Sequence, residues 1–152
     1  MDLVAGDGRE ILLALSVDDI EGFEDPDRFD AHLPLGAGLD PDWIDRFSEA
    51  VRMVCGGDQP SDFIDARREL DGPSDVGERT VERVDPAWIT AIARVTDREL
   101  DAVTGRWIDL LEEELGAFPP EEKPWIRELA GALVQFCRRA DRSADVLFAW
   151  SI

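Results

Sequence analysis

Few side chains in this sequence can make or break a covalent bond. There is one histidine, His32, two cysteines, Cys55 and Cys137, no tyrosine, and 35 Asp plus Glu against 16 Lys plus Arg. Nucleophilic catalysis requires a Ser, Cys or Thr beside a base, and here the base can only be His32 or a carboxylate. Both cysteines lie in apolar helical stretches, where thiols are ordinarily buried, reduced and inert. No triad follows from the pattern. Pairs of carboxylates suited to acid–base work are so abundant that finding one has no meaning.

Metal and phosphate chemistry fare no better. A lone histidine and two distant cysteines match none of the usual zinc spacings. The run Asp25-Pro26-Asp27-Arg28-Phe29-Asp30 lacks the central Gly and terminal Glu of a calcium loop. Gly6-Asp7-Gly8 and Gly36-Ala37-Gly38 lack the Lys-Ser/Thr pair that completes a phosphate cradle. The sequence therefore assigns no catalytic residue, no metal ligand and no cofactor, and leans away from an enzyme.

One segment stands apart. Arg67-Arg68, with Asp62, Phe63 and Asp65 nearby, is the basic doublet outside the last long helix, and on an anionic surface it could attract a carboxylate or phosphate. The binding candidates are thus Asp65, Arg67 and Arg68. Simple pairing with neighbouring acids is the more ordinary explanation, and such surface pairs contribute little. The long stretch of weak signal between Gly56 and Pro86 is where a site would be sought first, because long loops in compact domains are usually functional or partly structured.

The formal net charge of -19 repels phosphate backbones and anionic lipid head groups, which disfavours direct binding to nucleic acid or to a membrane surface. Three readings remain. The first is a non-enzymatic domain whose carboxylates meet a basic protein partner. The second is a small enzyme using carboxylates with a divalent ion in the loop between residues 56 and 85. The third is a salt-adapted domain whose charge carries no partner information, a reading favoured by acids in every segment and by a single lysine, Lys123, among the basic residues. A local acidic peak occurs at Asp18-Asp19-Ile20-Glu21-Gly22-Phe23-Glu24-Asp25.

With 152 residues and 44% apolar content, one core suffices. The composition reads as a single soluble domain over residues 1–152, and no apolar run approaches bilayer length. The N-terminus lacks the basic start of a secretory signal, so a cytoplasmic location is expected.

The positioning elements are mostly helical. Asp40-Pro41 and Asp85-Pro86 each open a helix, since Asp can cap free amides and Pro at the first position sacrifices no bond. Thr96-Asp97-Arg98-Glu99 is a capping box and starts a third, ended by Gly116. A fourth follows Pro124 and carries Arg138, Arg139 and Arg142 near its negative end. Trp43, Phe47, Trp88, Trp107, Leu111, Trp125, Leu129, Leu133 and Phe136 fall on the helical stripes and are expected to share a core. Residues 146–152 alternate large and small, as in a half-buried strand. The apolar run over residues 10–15 fits strand by its length and helix by its composition; it is read as strand. Residues 79–84 read as an exposed edge strand. The expected fold is α+β and mainly helical: about four principal helices on a small sheet that includes the C-terminal strand, with an all-helical bundle as the alternative.

Overall fold

The computed structural model describes residues 1–36, 39–56, 62–65, 70, 72 and 74–151. Among these, the strands are β1 (Asp2–Gly6), β2 (Ala31–Pro34), β3 (Asp75–Val76), β4 (Arg79–Arg83) and β5 (Asp145–Trp150), and the helices are α1 (Gly8–Ser16), α2 (Asp42–Cys55), α3 (Pro86–Ala93), α4 (Asp97–Leu115) and α5 (Lys123–Ala140). The sheet order is β2-β1-β5-β4-β3 and every pairing is antiparallel. The α+β, mainly helical fold expected from the sequence is the one formed, with the C-terminal strand in the sheet.

The sheet has helices on both faces. Leu3, Ala5, Val146 and Phe148 point to one side, where they join residues of α2 to α5 in the main core. Val4, Val81, Leu147 and Ala149 point to the other and pack with Ile11, Leu12 and Leu15 of α1 and with Phe23 and Phe29. Strand β5 lies between β1 and β4, so Val146 through Ala149 are all buried. The expected half-buried strand is instead a fully covered central one. Its smaller residues face a second apolar layer rather than water.

That second layer corrects the reading of residues 10–15, which are helical. Gly8, Ile11, Leu12, Ala14 and Leu15 are buried while Leu13 is exposed, the spacing of a helix and not of a strand. The start signal is Asp7, whose side chain accepts from the Arg9 amide at 2.9 Å. Strand β1 takes the place in the sheet expected for residues 10–15. Its Asp, Ala and Gly are poor strand formers, and it is held by pairing on both sides. Strand β4 is likewise not an edge, since β3 covers its outer side through a turn at Gly77, φ 65°.

The start signals read from sequence hold in detail. The Asp40 carboxylate accepts from the Asp42 amide at 3.0 Å and Asp85 from the Ala87 amide at 2.8 Å. The Thr96–Glu99 box is reciprocal. Gly56 and Gly116, with φ 73° and 85°, end α2 and α4 in a backbone region that favours glycine. The Trp residues that follow the two Asp-Pro starts differ, however: Trp88 is fully buried, whereas Trp43 packs partly buried at the rim. Of the expected core, Trp125 is the departure, at 46% exposure. Phe63, read as part of a basic surface segment, is a core residue, its ring centroid 4.8 Å from Trp88 and 5.3 Å from Phe148.

Candidate functional site

Of the three binding residues named from sequence, Arg67 and Arg68 lie outside the described residues. Asp65 sits beside β4, its amide donating to the Arg83 carbonyl at 2.8 Å, next to the isolated bridge between Ile64 and Val84. The described part of the Gly56–Pro86 stretch is therefore built into the fold through Phe63, the bridge and the β3–β4 hairpin.

The nucleophile candidates are held inactive. Cys137 is buried, and burial drives its thiol pKa far upward. Cys55 has its thiol pushed up to about 11, first by burial and then by its hydrogen bond to Glu99. A thiol held protonated is a poor nucleophile and a poor metal ligand.

His32 is more constrained than the sequence suggests. Strand pairing puts it diagonally across from Asp2, and its Nε2 lies 2.8 Å from Asp2 Oδ1, while Nδ1 meets the Glu24 carboxylate. The ring is only 5% exposed and stacks obliquely on Phe23, centroids 5.2 Å apart. Burial alone would lower its pKa, but the hydrogen bonds to Asp2 and Glu24 raise it above the ordinary value. Both ring nitrogens are occupied, so this imidazole is a clamp between β1, β2 and the 21–24 turn and is not poised as a base.

A second junction ties α1 to the sheet. Arg83 of β4 pairs with Asp145 of β5, and the other oxygen of Asp145 accepts from the Gly8 amide at 3.0 Å. A Cβ at Gly8 would fall 2.9 Å from that carboxylate, which explains the glycine. The Gly6-Asp7-Gly8 motif is thus a helix cap and a close approach.

The acids form two groups once placed in space. In the acidic peak at 18–25, Asp18 pairs with Arg79, Asp19 with Arg28 and Glu24 with His32. The outward face of α2 carries the second group. Asp42, Asp45, Glu49 and Arg52, spaced to share one side of the helix, line a cleft of about 420 Å³ with Arg46, Asp62 and Glu114. Among the described residues, five carboxylates there face two arginines. Arg46 spans Glu49 at 2.9 Å and Glu114. Asp45 accepts from the Phe63 amide at 3.1 Å, yet its pKa is raised, by partial burial first and then by the charges of Asp42 and Asp62. Like charges are crowded here beyond what the local cations neutralise.

Beside this cleft is an aromatic shelf. The Trp43 ring lies 5.8 Å from Phe118 and 6.4 Å from Trp125, both at 68°. Asp42 of the cleft and Trp43 of the shelf are chain neighbours at the start of α2, and Glu114 of the cleft lies at the end of α4, four residues before Phe118. Helix periodicity in α2 and α5 locates these residues from sequence, but not the open edge of the Trp125 ring.

Among the described residues, no three His, Cys, Asp or Glu side chains are grouped to hold a metal ion, and no helix is long and apolar enough to cross a membrane. No family model, no curated protein and no solved structure matches this chain.

Proposed function

We propose that this chain is a non-catalytic interaction domain that receives a basic protein partner on the acidic face of α2. The observation that carries this reading is the lining of the α2 cleft, where among the described residues five carboxylates face two arginines, Arg46 spans Glu49 and Glu114, and the charges of Asp42 and Asp62 bear on Asp45. An unbalanced cleft attracts counter-charge, and a lysine or arginine side chain placed among Asp42, Asp45 and Asp62 relieves their repulsion. At long range the net charge of -19 steers a basic partner and raises its association rate. The held-down thiols and the doubly bonded imidazole support a binding role over a catalytic one.

The test is titration of the protein into a fluorescently labelled oligolysine peptide. Saturable binding is expected, weakening as sodium chloride rises, with slower association for the double variant Asp42→Asn, Asp62→Asn. Absence of binding at low salt, or a double variant indistinguishable from the wild type, would contradict the proposal.

A further inference from the structure

We infer that the Trp43–Phe118–Trp125 shelf is the anchoring half of the interface, and that the partner segment is a basic peptide carrying a large aliphatic or aromatic residue. This rests on the reading of the α2 cleft as a basic-partner site and adds what that cleft leaves open, namely the apolar chemistry of the partner.

The shelf lies where α2 begins, α4 ends and α5 begins. Trp125 is 46% exposed and Leu115, four residues before the start of the Pro119-Pro120 turn, is 57% exposed. Large apolar side chains scattered singly on a surface need no explanation, but a contiguous group rimmed by charge marks a contact site. Here the Trp43 ring packs against both Phe118 and Trp125, so the half-exposed Trp125 indole rests on a braced neighbour. Rigid aromatic groups give contact area at little entropic cost and dominate binding energy at interfaces.

The rim selects the occupant. Glu113, Glu114, Glu121, Glu122 and Glu128, which flank the shelf residues in the chain, are exposed, and the cations of this stretch are already paired, Lys123 with Glu112 at 3.3 Å and Arg127 with Asp101. A second copy of the chain would bring the same glutamates against these. A basic segment meets an excess of opposite charge there. The apolar anchor would sit on Trp125 while flanking cations reach Glu114 and the α2 cleft.

The experiment compares two labelled peptides on the intact protein: an oligolysine, and the same peptide with its central residues replaced by leucine. The leucine peptide is expected to bind about tenfold tighter to the wild type, with a blue shift of tryptophan emission. Trp125→Ala is expected to abolish that preference while leaving oligolysine affinity unchanged, and Trp125→Phe to retain most of it. Leu115→Ser provides a second test of the shelf should the alanine variant fold poorly. Equal affinity for the two peptides, or a preference that survives both Trp125→Ala and Leu115→Ser, overturns the anchor while leaving the acidic cleft intact as a binding site. Failure of both peptides to bind overturns the cleft itself. Concentration-dependent dimerisation lost in Trp125→Ala, or a blue shift with neutral phosphatidylcholine vesicles and none with the leucine peptide, would likewise overturn the peptide as occupant.

Discussion

His32 shows how a residue type without its spatial partners misleads. A single histidine reads as a spare base, yet strand pairing and a short helical turn place a carboxylate on each ring nitrogen. Neither the β1–β2 register nor the Glu24 contact is marked by any local pattern, so the clamp is not legible in the sequence. Its energetics have a definite pH window. His32 has a raised folded-state pKa, so its contribution is fully present below the unfolded value of 6.5 and is lost as pH rises through the higher folded value. Asp2 has a lowered pKa, because the His32 bond and nearby positive charge, including the N-terminal amine, outweigh burial; its contribution is present above 3.8 and is lost as pH falls below that. The clamp should stabilise most between these two values. Thermal unfolding of wild type and His32→Gln across pH is expected to show the largest difference in that window and a shrinking one on the alkaline side. A difference that grows above neutral pH would mean the ring is held neutral.

At the scale of elements, the helices were legible wherever side-chain chemistry acts locally. Asp40, Asp85 and Thr96 cap as their positions predict, and Gly56 and Gly116 stop as glycines do. The errors occurred where tertiary contact decides. Residues 10–15 are short and uniformly apolar, so only the Asp7 cap and the exposure of Leu13 reveal a helix. Strand β1 is too poor in strand formers to be found without its partners. Arg138, expected simply to favour the end of its own helix, instead donates to the Val95 carbonyl at 2.6 Å, bridging to the junction of α3 and α4. Helix α5 also divides its aromatic residues in a way periodicity does not capture. Phe136 is buried, while Trp125 meets solvent. Truncation separates these roles. Trp107→Ala, which removes a fully buried ring and its hydrogen bond to the Trp43 carbonyl at 2.8 Å, should cost about 3–5 kcal/mol. Trp125→Ala should cost about 1 kcal/mol or less, as half-exposed positions do. Denaturant unfolding checks both, and equal costs would place Trp125 in the core after all.

Across the whole molecule the net charge was plain from composition, but its organisation was not. The acidic peak in the chain is partly ion-paired, and the carboxylates of the cleft come from α2, Asp62 and Glu114, which are distant in sequence and adjacent only after folding. The candidate site was therefore legible only in its parts. The arginine doublet named from sequence lies outside the described residues, and in its segment Phe63 is a core residue and Asp65 a strand neighbour. A molecule with this excess of negative charge repels itself in the folded state, so its melting temperature should rise with moderate sodium chloride as the screening length falls to about 10 Å and below. A steady fall with added chloride would mean that ion pairs such as Arg83–Asp145 outweigh the repulsion. The matched comparison with sulfate separates screening from strengthened burial.

The central claim, that the charge is organised as a site and is not a uniform coat, is tested most directly by mapping backbone amide chemical shifts of the labelled protein during titration with the leucine-containing oligolysine. Shifts concentrated along residues 42–52 and 112–125, with the equally acidic residues 18–25 little changed, are the predicted result. Comparable shifts at both acidic regions would show that the carboxylates act as a solvating coat, and the interaction site proposed on α2 would be wrong.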